Sequence, residues 1–210
     1  MYTPPVFAVS DTQRLHGLIR EYPLATMITL DVSGIVVNHV PFLLDTTRGE
    51  QGVLMGHVAR ANPVWQSFSR EIPSVVVFEG PQAYVTPSWY AAKAEHGKVV
   101  PTWNYAVVHV RGFPRVVKEE SAVLALLDRL TRAQEAALPS PWQLQDAPAD
   151  YIEKLMSAIV GIEIPVSSIE GKWKMSQNRD AADRAGVCNG LRELGGDAAA
   201  TMARWMEDLF

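Results

Sequence analysis

The sequence has a single cysteine, Cys188, among its 210 residues. One cysteine excludes an internal disulfide framework and a CxxC metal or redox site. No stretch approaches the roughly 20 consecutive apolar residues that a membrane-spanning helix needs, so we expect no membrane association. The N-terminal residues show no basic segment followed by an apolar run. We therefore expect no secretory signal and a cytoplasmic protein, in which the free cysteine stays reduced.

Several common catalytic and nucleotide-binding patterns are also absent. Neither GxGxxG nor GxxxxGK[ST] occurs, so the sequence gives no support to a Rossmann or P-loop nucleotide site. HExxH, GxSxG and paired Cys/His clusters are missing too, so we predict neither a hydrolase nor a metal site and identify no catalytic residue. The net charge of −4 disfavours non-specific binding to nucleic acid.

The hydrophobic pattern predicts a chain of short strands with helices at the margins. Helices are predicted at 11–22, from Asn62-Pro63 to about Phe68, at 119–137, at 150–159, and from 179 onward as a pair broken at Gly195-Gly196. Strands are predicted at 25–30, 35–44, 52–56, 74–79, 82–86, 102–117 and 161–169, with turns at 31–34 and 45–52 and a hairpin turn at Gly80-Pro81. Because these strands follow one another without crossover helices, an antiparallel barrel or sandwich is favoured.

The first candidate motif, at 56–65, reads GHVARANPVW. We interpret it as the end of a strand, a short loop and the start of a helix capped by Asn62. A helix N-terminus presents unpaired N–H groups and a partial positive charge, which suits a phosphate. Arg60 and His57 would add side-chain donors. The alternative is an ordinary capped surface loop with a solvated arginine.

The second candidate motif is an aromatic segment at 84–113, which holds six of the chain's eighteen aromatic residues. It contains YVTPSWY at 84–90 and GKVVPTWNY at 97–105. Strand alternation places Trp103 and His109 on one face and Asn104 on the other. A flat ligand such as a flavin ring would fit such a face. The alternative is hydrophobic core, in which His109 is a structural histidine.

The third candidate motif, at 169–179, reads IEGKWKMSQNR. We interpret it as a basic turn between a strand and a helix, with Ser176 or Asn178 as the helix cap. Lys172 and Lys174 would then stand near a helix N-terminus and make an anion site. The alternative is a capped, solvated turn whose lysine side chains lie over Trp173.

These three motifs occur together and in this order in the PaiB-type FMN-binding negative transcriptional regulators, and the chain resembles that family. The resemblance also includes Met1-Tyr2-x-Pro4-x-x-Phe7, GIEI at 161–164 and Gly186-Val187, and it extends to about residue 191. It implies a β-rich α+β fold, an FMN-binding split β-barrel with peripheral helices and a helical C-terminus, similar to the pyridoxamine-phosphate-oxidase-like flavoproteins. We expect a single domain at 1–210, with 179–210 as a helical extension packed on it.

The resemblance further implies which residues bind FMN. The HVARANP stretch resembles the phosphate and ribityl side of the site, with His57, Ala59, Arg60 and Asn62. The strand at 38–42 resembles the wall that faces the flavin ring through its backbone, at His39, Val40 and Pro41. The aromatic segment resembles the wall from the partner subunit, with Ser88, Trp89, Trp103 and Asn104. The basic turn would close the site with Lys172, Lys174, Ser176, Gln177 and Asn178.

The function that the resemblance implies is negative regulation of transcription by a homodimer that holds FMN at its interface. Direct contact with DNA is not supported by charge, since Arg204 is the only basic residue in the last predicted helix, at about 197–209. Two alternatives remain open. One is a flavin-dependent oxidoreductase of a small molecule. The other is a haem-binding split barrel, for which His39, His57 and His109 are the candidate axial ligands.

Overall fold

The computed structural model describes residues 1–32 and 34–210, so Ser33, in the predicted turn at 31–34, lies outside the described residues. Within those ranges the chain forms six α-helices: α1 (Thr12–Glu21), α2 (Ala92–His96), α3 (Glu120–Glu135), α4 (Ala149–Ser157), α5 (Ala181–Leu194) and α6 (Asp197–Glu207). It also forms nine strands: β1 (Ala8–Val9), β2 (Leu24–Asp31), β3 (Gly34–Pro41), β4 (Leu43–Asp45), β5 (Val53–Ala59), β6 (Ser74–Val85), β7 (Thr102–Gly112), β8 (Arg115–Val117) and β9 (Ile159–Lys174).

The strands form one sheet in the order β3-β2-β6-β7-β9-β5-β4, and β1 and β8 also pair with β9. The pairs β1–β9, β2–β3, β2–β6, β4–β5, β5–β9 and β8–β9 are all antiparallel. In β7 the predicted alternation is confirmed, because Asn104 and Val108 are fully buried whereas Trp103 is about half exposed. The expected antiparallel, β-rich α+β architecture is therefore confirmed.

The described chain divides into two compact units. The first unit comprises 1–18, 79–108 and 170–210, and the second comprises 19–78 and 109–169. The unit boundaries at 78/79, 108/109 and 169/170 fall inside β6, β7 and β9, respectively. Each of these three strands therefore contributes residues to both units.

The second unit buries apolar side chains of its strands against a helix. Val53 and Met55 on β5 pack with Leu126 on α3. Phe42 and Phe78 meet edge to face, with ring centroids 6.4 Å apart. Residues 126 and 130 lie one turn apart on α3, which is the amphipathic spacing that predicts this helix from sequence.

The first unit is built on the helical pair at the C-terminus. Met202 and Met206 of α6 are fully buried, as is Leu191 of α5. Gly190 of α5 lets the indole of Trp89 approach, since a Cβ at that position would lie 2.4 Å from the ring. The predicted helix pair with a break at Gly195-Gly196 is confirmed, and both glycines have positive φ.

Three sequence predictions of local structure are wrong. Gly80-Pro81 is not a hairpin turn, because β6 runs unbroken from Ser74 to Val85. The glycine there serves close packing, since a Cβ would lie 2.9 Å from Leu18 and 3.3 Å from Ala106. Only the second part of the motif at 169–179 is a turn, because β9 continues through the first part to Lys174. The helix after it is capped by Asp180, whose carboxylate accepts from the Asp183 N–H at 2.8 Å, and not by Ser176 or Asn178.

Two strands that the sequence predicts are each divided into two in the structure, and one helix was not predicted. The strand predicted at 35–44 divides into β3 and β4 at Phe42, whose N–H donates to the Pro23 carbonyl at 2.9 Å. The strand predicted at 102–117 divides into β7 and β8 before Pro114, which has no N–H to donate. The short helix α2 was not predicted. Among the described residues, no helix is long and apolar enough to cross a membrane.

Candidate functional site

The predicted residues fall into two groups, one in each unit. In the second unit they are His39, Val40, Pro41, His57, Ala59, Arg60 and Asn62, which lie on β3, on β5 and on the loop after β5, and we call them the β3–β5 cluster. Strands β3 and β5 contact each other although they are not neighbours in the strand order. The fold therefore brings together two segments that the sequence separates by some twenty residues.

Asn62 anchors the β3–β5 cluster through both ends of its amide. Its oxygen accepts from the Val64 N–H at 3.1 Å and so caps a single 3-10 turn at Pro63–Gln66. Its nitrogen donates to the Asn38 Oδ1 at 2.6 Å. The helix predicted from Asn62-Pro63 to about Phe68 is thus only four residues long, so the positive helix end expected there is weak.

Two polar atoms of this region are buried without a hydrogen-bond partner among the described residues. They are the Nδ1 of His57 and the Nδ2 of Asn38. Burial lowers the pKa of His57, so the imidazole is neutral at pH 7. A ligand atom that reached these two groups would satisfy polar atoms that the described residues leave unsatisfied.

Arg60 makes contacts that the sequence did not predict. Its Nε donates to the Ser157 carbonyl at 2.6 Å, and one terminal nitrogen donates to the Ile159 carbonyl at 2.8 Å. These carbonyls lie at and just beyond the C-terminal end of α4, where carbonyl groups lack helical partners. The side chain therefore ties the loop after β5 to α4, and three of its five N–H donors remain for a ligand.

The ring-facing wall predicted on β3 has mixed exposure. His39 and Pro41 are exposed, whereas Val40 is buried. The Thr26 hydroxyl and the His39 Nδ1 lie 3.3 Å apart. Because β3 ends the strand order, its outer backbone groups have no strand neighbour within residues 1–32 and 34–210, and such groups are available for a ligand.

In the first unit the structure shows a cleft of about 240 Å³, which we call the Lys174 cleft. It includes four predicted residues, Asn104, Lys174, Ser176 and Asn178. Its full lining is Phe7, Tyr90, Val100, Pro101, Thr102, Asn104, Lys174, Ser176, Asn178 and Arg179. Ligand pockets usually measure about 300–1,000 Å³, so this cleft has room for only part of a cofactor or for a small molecule.

Positive charge is concentrated at the Lys174 cleft. The Lys174 ammonium donates to the Trp103 carbonyl at 2.7 Å and to the Thr102 hydroxyl. Burial lowers the pKa of Lys174, and the neighbouring Lys172 and Arg179 lower it further. An anion in the cleft would relieve this repulsion, which makes the cleft suited to phosphate or carboxylate.

The backbone of the cleft is held in an uncommon conformation. Ser176 has a φ of 67° and is the only described non-glycine residue with positive φ. Its hydroxyl accepts from the Asn104 Nδ2 at 3.0 Å, and the same nitrogen lies 3.5 Å from the Met206 Sδ. Residues held in this region often belong to functional sites, where the surrounding structure offsets the strain.

Five further predicted residues lie outside the lining of the Lys174 cleft. Lys172 donates to the Tyr2 carbonyl at 3.1 Å, and its ammonium stands 5.3 Å from the centre of the Tyr105 ring. Gln177 bonds within its own turn, to the Met175 N–H and the Trp173 carbonyl. Trp89 packs on α5, and Ser88 accepts from Lys93 at 3.2 Å. Trp103 is 48% exposed and stacks at a tilt on Tyr84, 6.0 Å between centroids.

Tyr90 and Thr102 line the cleft but are not among the residues that the sequence predicts for the site. The Arg179 guanidinium lies over the Tyr90 ring, 4.4 Å from its centre. Burial raises the pKa of Tyr90, and the adjacent Arg179 opposes that rise. Both residues stand inside motifs quoted above, but nothing in the spacing of 90 and 179 shows that they meet. No group of three or more potential metal-ligating side chains occurs among the described residues.

Comparison with solved structures defines the class of protein. The FAD and heme binding protein from Mycobacterium smegmatis matches with a TM-score of 0.61 at 17% identity, over 91% of this chain and 81% of that chain. The flavocytochrome Anf3 from Azotobacter vinelandii matches with a TM-score of 0.57 at 14% identity, over 85% of this chain and 75% of that chain. At such identities the likeness concerns the fold alone, and the fold is the predicted split β-barrel class.

The family follows from sequence. The model of the family described as "Putative FMN-binding domain" matches residues 1–168, and the chain belongs to this family. An uncharacterized protein of Emericella nidulans is 36% identical over 97% of this chain and 95% of its own length. Protease synthase and sporulation protein PAI 2 of Bacillus subtilis is 29% identical over 99% of this chain and 97% of its own. The predicted resemblance and the predicted FMN cofactor are thereby confirmed.

Proposed function

We propose that the chain is an FMN-dependent negative regulator of transcription that holds FMN at the interface of a homodimer. The observation that carries the flavin site is the pair of buried, unpartnered polar atoms on His57 and Asn38. Both lie within the matched segment 1–168, and Asn38 accepts a hydrogen bond from Asn62. A cofactor that accepts or donates hydrogen bonds there would offset the cost of burying them.

In this proposal the chain's own residues divide the work of binding. His57 and Asn38 would meet polar atoms of the cofactor, and Asn62 would orient Asn38. The free N–H groups of Arg60 would face the phosphate. The bound flavin would supply redox chemistry, and the residues around it would supply orientation and limit the access of water.

The interface is supported by an exposed apolar face on β2 and β3. In the β2–β3 register, Leu24 pairs with Pro41, Ile28 with Val37, and Leu30 with Ile35. Leu24, Ile35 and Val37 are each more than half exposed. Contiguous exposed apolar surface of this kind usually marks an interaction site. Because Pro41 belongs to both this face and the β3–β5 cluster, a second copy on it would adjoin the proposed cofactor.

The regulatory role is supported by the relationship to a named relative, and the net charge bears on how the chain would reach its target. The Bacillus subtilis relative, named for protease synthesis and sporulation, aligns over nearly the whole chain. The net charge of −4 gives no support to DNA contact through phosphates. We therefore propose regulation through a protein partner, with the protein in the cytoplasm.

A second candidate function, a flavin-dependent oxidoreductase, is favoured by the Lys174 cleft. Its volume of about 240 Å³ and its cations Lys174 and Arg179 suit a small anionic substrate. Bleaching of the bound flavin by NADH or NADPH under anaerobic conditions would support this activity. A Soret band on addition of hemin would instead support haem binding.

The flavin site is tested by titrating FMN into the purified protein and following the quenching of flavin fluorescence. Asn62→Ala should weaken FMN binding at least fivefold, because Asn38 loses its partner and the turn at 63–66 loses its cap. Asn189→Ala, on the exposed side of α5, is the matched control and should bind like the parent chain. Equal affinity of all three proteins would contradict the proposed site.

A further inference from the structure

The second unit carries an open groove of about 920 Å³ between α3 and the segment that ends in α4. We call it the α3–α4 groove. Its lining is Glu120, Ser121, Leu124, Ala125, Asp128, Leu144, Gln145, Ala147, Ala149, Ile152, Glu153 and Met156. It shares no residue with the β3–β5 cluster or the Lys174 cleft, so the flavin proposal does not account for it.

The floor of the α3–α4 groove is apolar and accessible. Among its lining residues, Leu124 on α3 is 42% exposed, and Leu144, Ile152 and Met156 add further apolar side chains. Large apolar side chains grouped on one surface are uncommon in a soluble domain unless that surface contacts another molecule.

The rim of the groove is acidic. Its lining contains Glu120, Asp128 and Glu153 and, among the residues that the structure describes, no lysine or arginine. Asp128 pairs with Arg132 one turn further along α3, at 2.8 Å, and is the one rim carboxylate with a described ion pair. The carboxylates of the lining therefore favour a cationic ligand.

We propose that the α3–α4 groove docks a basic amphipathic helix of a partner protein. The α3 residues in the lining, from Glu120 to Asp128, span about 12 Å at 1.5 Å per residue. That length matches two to three turns of a partner helix with apolar residues at i, i+3 or i+4, and i+7. Lysine or arginine on the flanks of such a helix would face Glu120 and Glu153.

A second copy of this chain is a poorer occupant. A two-fold contact through the same surface would bring each acidic rim against the other, and like charges so placed oppose association. The docking proposal does not depend on flavin. Docking of this helix would bring an acidic chain to a promoter through a partner protein. That role rests on the proposed regulatory function.

The test uses the full chain loaded with FMN and a fluorescent 15-residue peptide of leucine and lysine in a helical amphipathic pattern. Fluorescence anisotropy gives the Kd. A scrambled peptide of identical composition carries the same charge without an apolar face. Leu124→Ser changes the floor, and the double variant Glu120→Lys, Glu153→Lys reverses the rim. The control variants make the same changes at exposed positions of the first unit. Leu194→Ser matches Leu124→Ser, and the double variant Glu95→Lys, Glu193→Lys matches the double variant of the rim.

We expect the patterned peptide to bind at least tenfold more tightly than the scrambled peptide. Both groove variants should weaken it fivefold or more, whereas the matched controls should stay within twofold. Equal binding of the two peptides, or groove variants that bind like the controls, would overturn the proposal. Loss of the dimer in the groove variants would also overturn it, because a second copy would then be the occupant. Flavin absorbance, read on every sample, separates these outcomes from failure of the flavin site.

Discussion

His57 and Asn38 each bury a polar atom that meets no hydrogen-bond partner in the described chain. Leaving a buried polar group unsatisfied costs about 1–3 kcal/mol, so two such atoms need a physical reason. In the proposed site FMN would provide it, because hydrogen bonds made only when FMN is present would strengthen binding without stabilising the free protein. At the residue scale, the proposed flavin site therefore consists of polar groups that the fold positions and that the described residues leave without partners.

The first prediction concerns the pH dependence of stability. Burial lowers the pKa of His57 below its ordinary value of 6.5. Around and below pH 6.5 the unfolded chain therefore binds more protons at this residue than the folded chain, and the free energy of unfolding falls as pH falls. His57→Gln should lose less stability than the parent chain between pH 7 and 5, measured by urea denaturation. The exposed His96→Gln is the control, and a parent-like slope for His57→Gln would count against the buried, neutral imidazole.

The second prediction separates the two roles of Arg60. Arg60→Ala removes two donors from the Ser157 and Ile159 carbonyls, so the free protein should lose about 1–3 kcal/mol of stability. It should also weaken FMN binding by roughly 1.5–3 kcal/mol, the range for a hydrogen bond to a charged group. Denaturation and FMN titration measure the two effects. The exposed Arg70→Ala is the control. A loss of stability with unchanged FMN affinity would leave Arg60 as a structural residue only.

The residue types of the candidate site could be predicted from sequence, but their contacts could not. The fold does gather Asn104, Lys174, Ser176 and Asn178 around one cleft. The bonds from Arg60 to the end of α4, and the stacking of Arg179 on Tyr90, join residues some ninety positions apart. Spacing along a chain carries no signal for pairs this distant, so only the folded structure identifies them.

At the scale of elements, the close contact between Trp89 and α5 explains why this motif residue packs inside the first unit. The indole fills the space that a side chain at Gly190 would take, and the Trp89 carbonyl lies within 2.0 Å of where a Cβ on Gly186 would stand. Both glycines are on α5, where glycine is otherwise unfavourable by about 1 kcal/mol relative to alanine. Glycine is nevertheless required at 186 and 190, because Trp89 lies so close to the helix that a larger side chain would overlap it.

The third prediction tests this packing with a double-mutant cycle. Gly190→Ala should destabilise the protein by about 1–3 kcal/mol, because the new methyl group would overlap the indole. In a Trp89→Leu background the same substitution should cost markedly less. Asn189→Ala, one position earlier and exposed, should change stability little. Thermal or urea denaturation of the four proteins gives the coupling energy, and purely additive effects would refute the contact.

Helices with strong amphipathic spacing could be predicted well, whereas breaks and continuations of strands could not. The spacing of Val123 and Leu126 is local information, and α3 follows it closely. Gly80-Pro81 has the composition of a turn, but β6 continues through it without a break, and Gly80 packs there against Leu18 and Ala106. Tertiary contacts outweigh local preference there, as they do where β9 runs on to Lys174.

At the scale of the whole molecule, β6, β7 and β9 each supply residues to both compact units. A strand shared by two units couples the ordering of one to the ordering of the other. We therefore propose that residues 1–210 behave as a single domain, including the helical C-terminus from about 179. The family model ends at residue 168, so this proposal concerns α5 and α6 most directly.

The fourth prediction follows from that coupling. Urea unfolding monitored by tryptophan fluorescence and by far-ultraviolet circular dichroism should give one transition with the same midpoint for both signals. Most of the helical signal of α5 and α6 would then be lost together with the strands. Two resolved transitions would show that the units unfold independently.

The measurement that tests the central claim most directly is size-exclusion chromatography with light scattering and flavin absorbance on the FMN-reconstituted protein. A dimer with FMN at its interface predicts one peak with twice the 23.2 kDa chain mass and about one flavin per chain. It also predicts that Val37→Lys, on the exposed face of β3, lowers the mass and the flavin content together. A monomer that retains flavin, or a dimer that retains none, would contradict the claim.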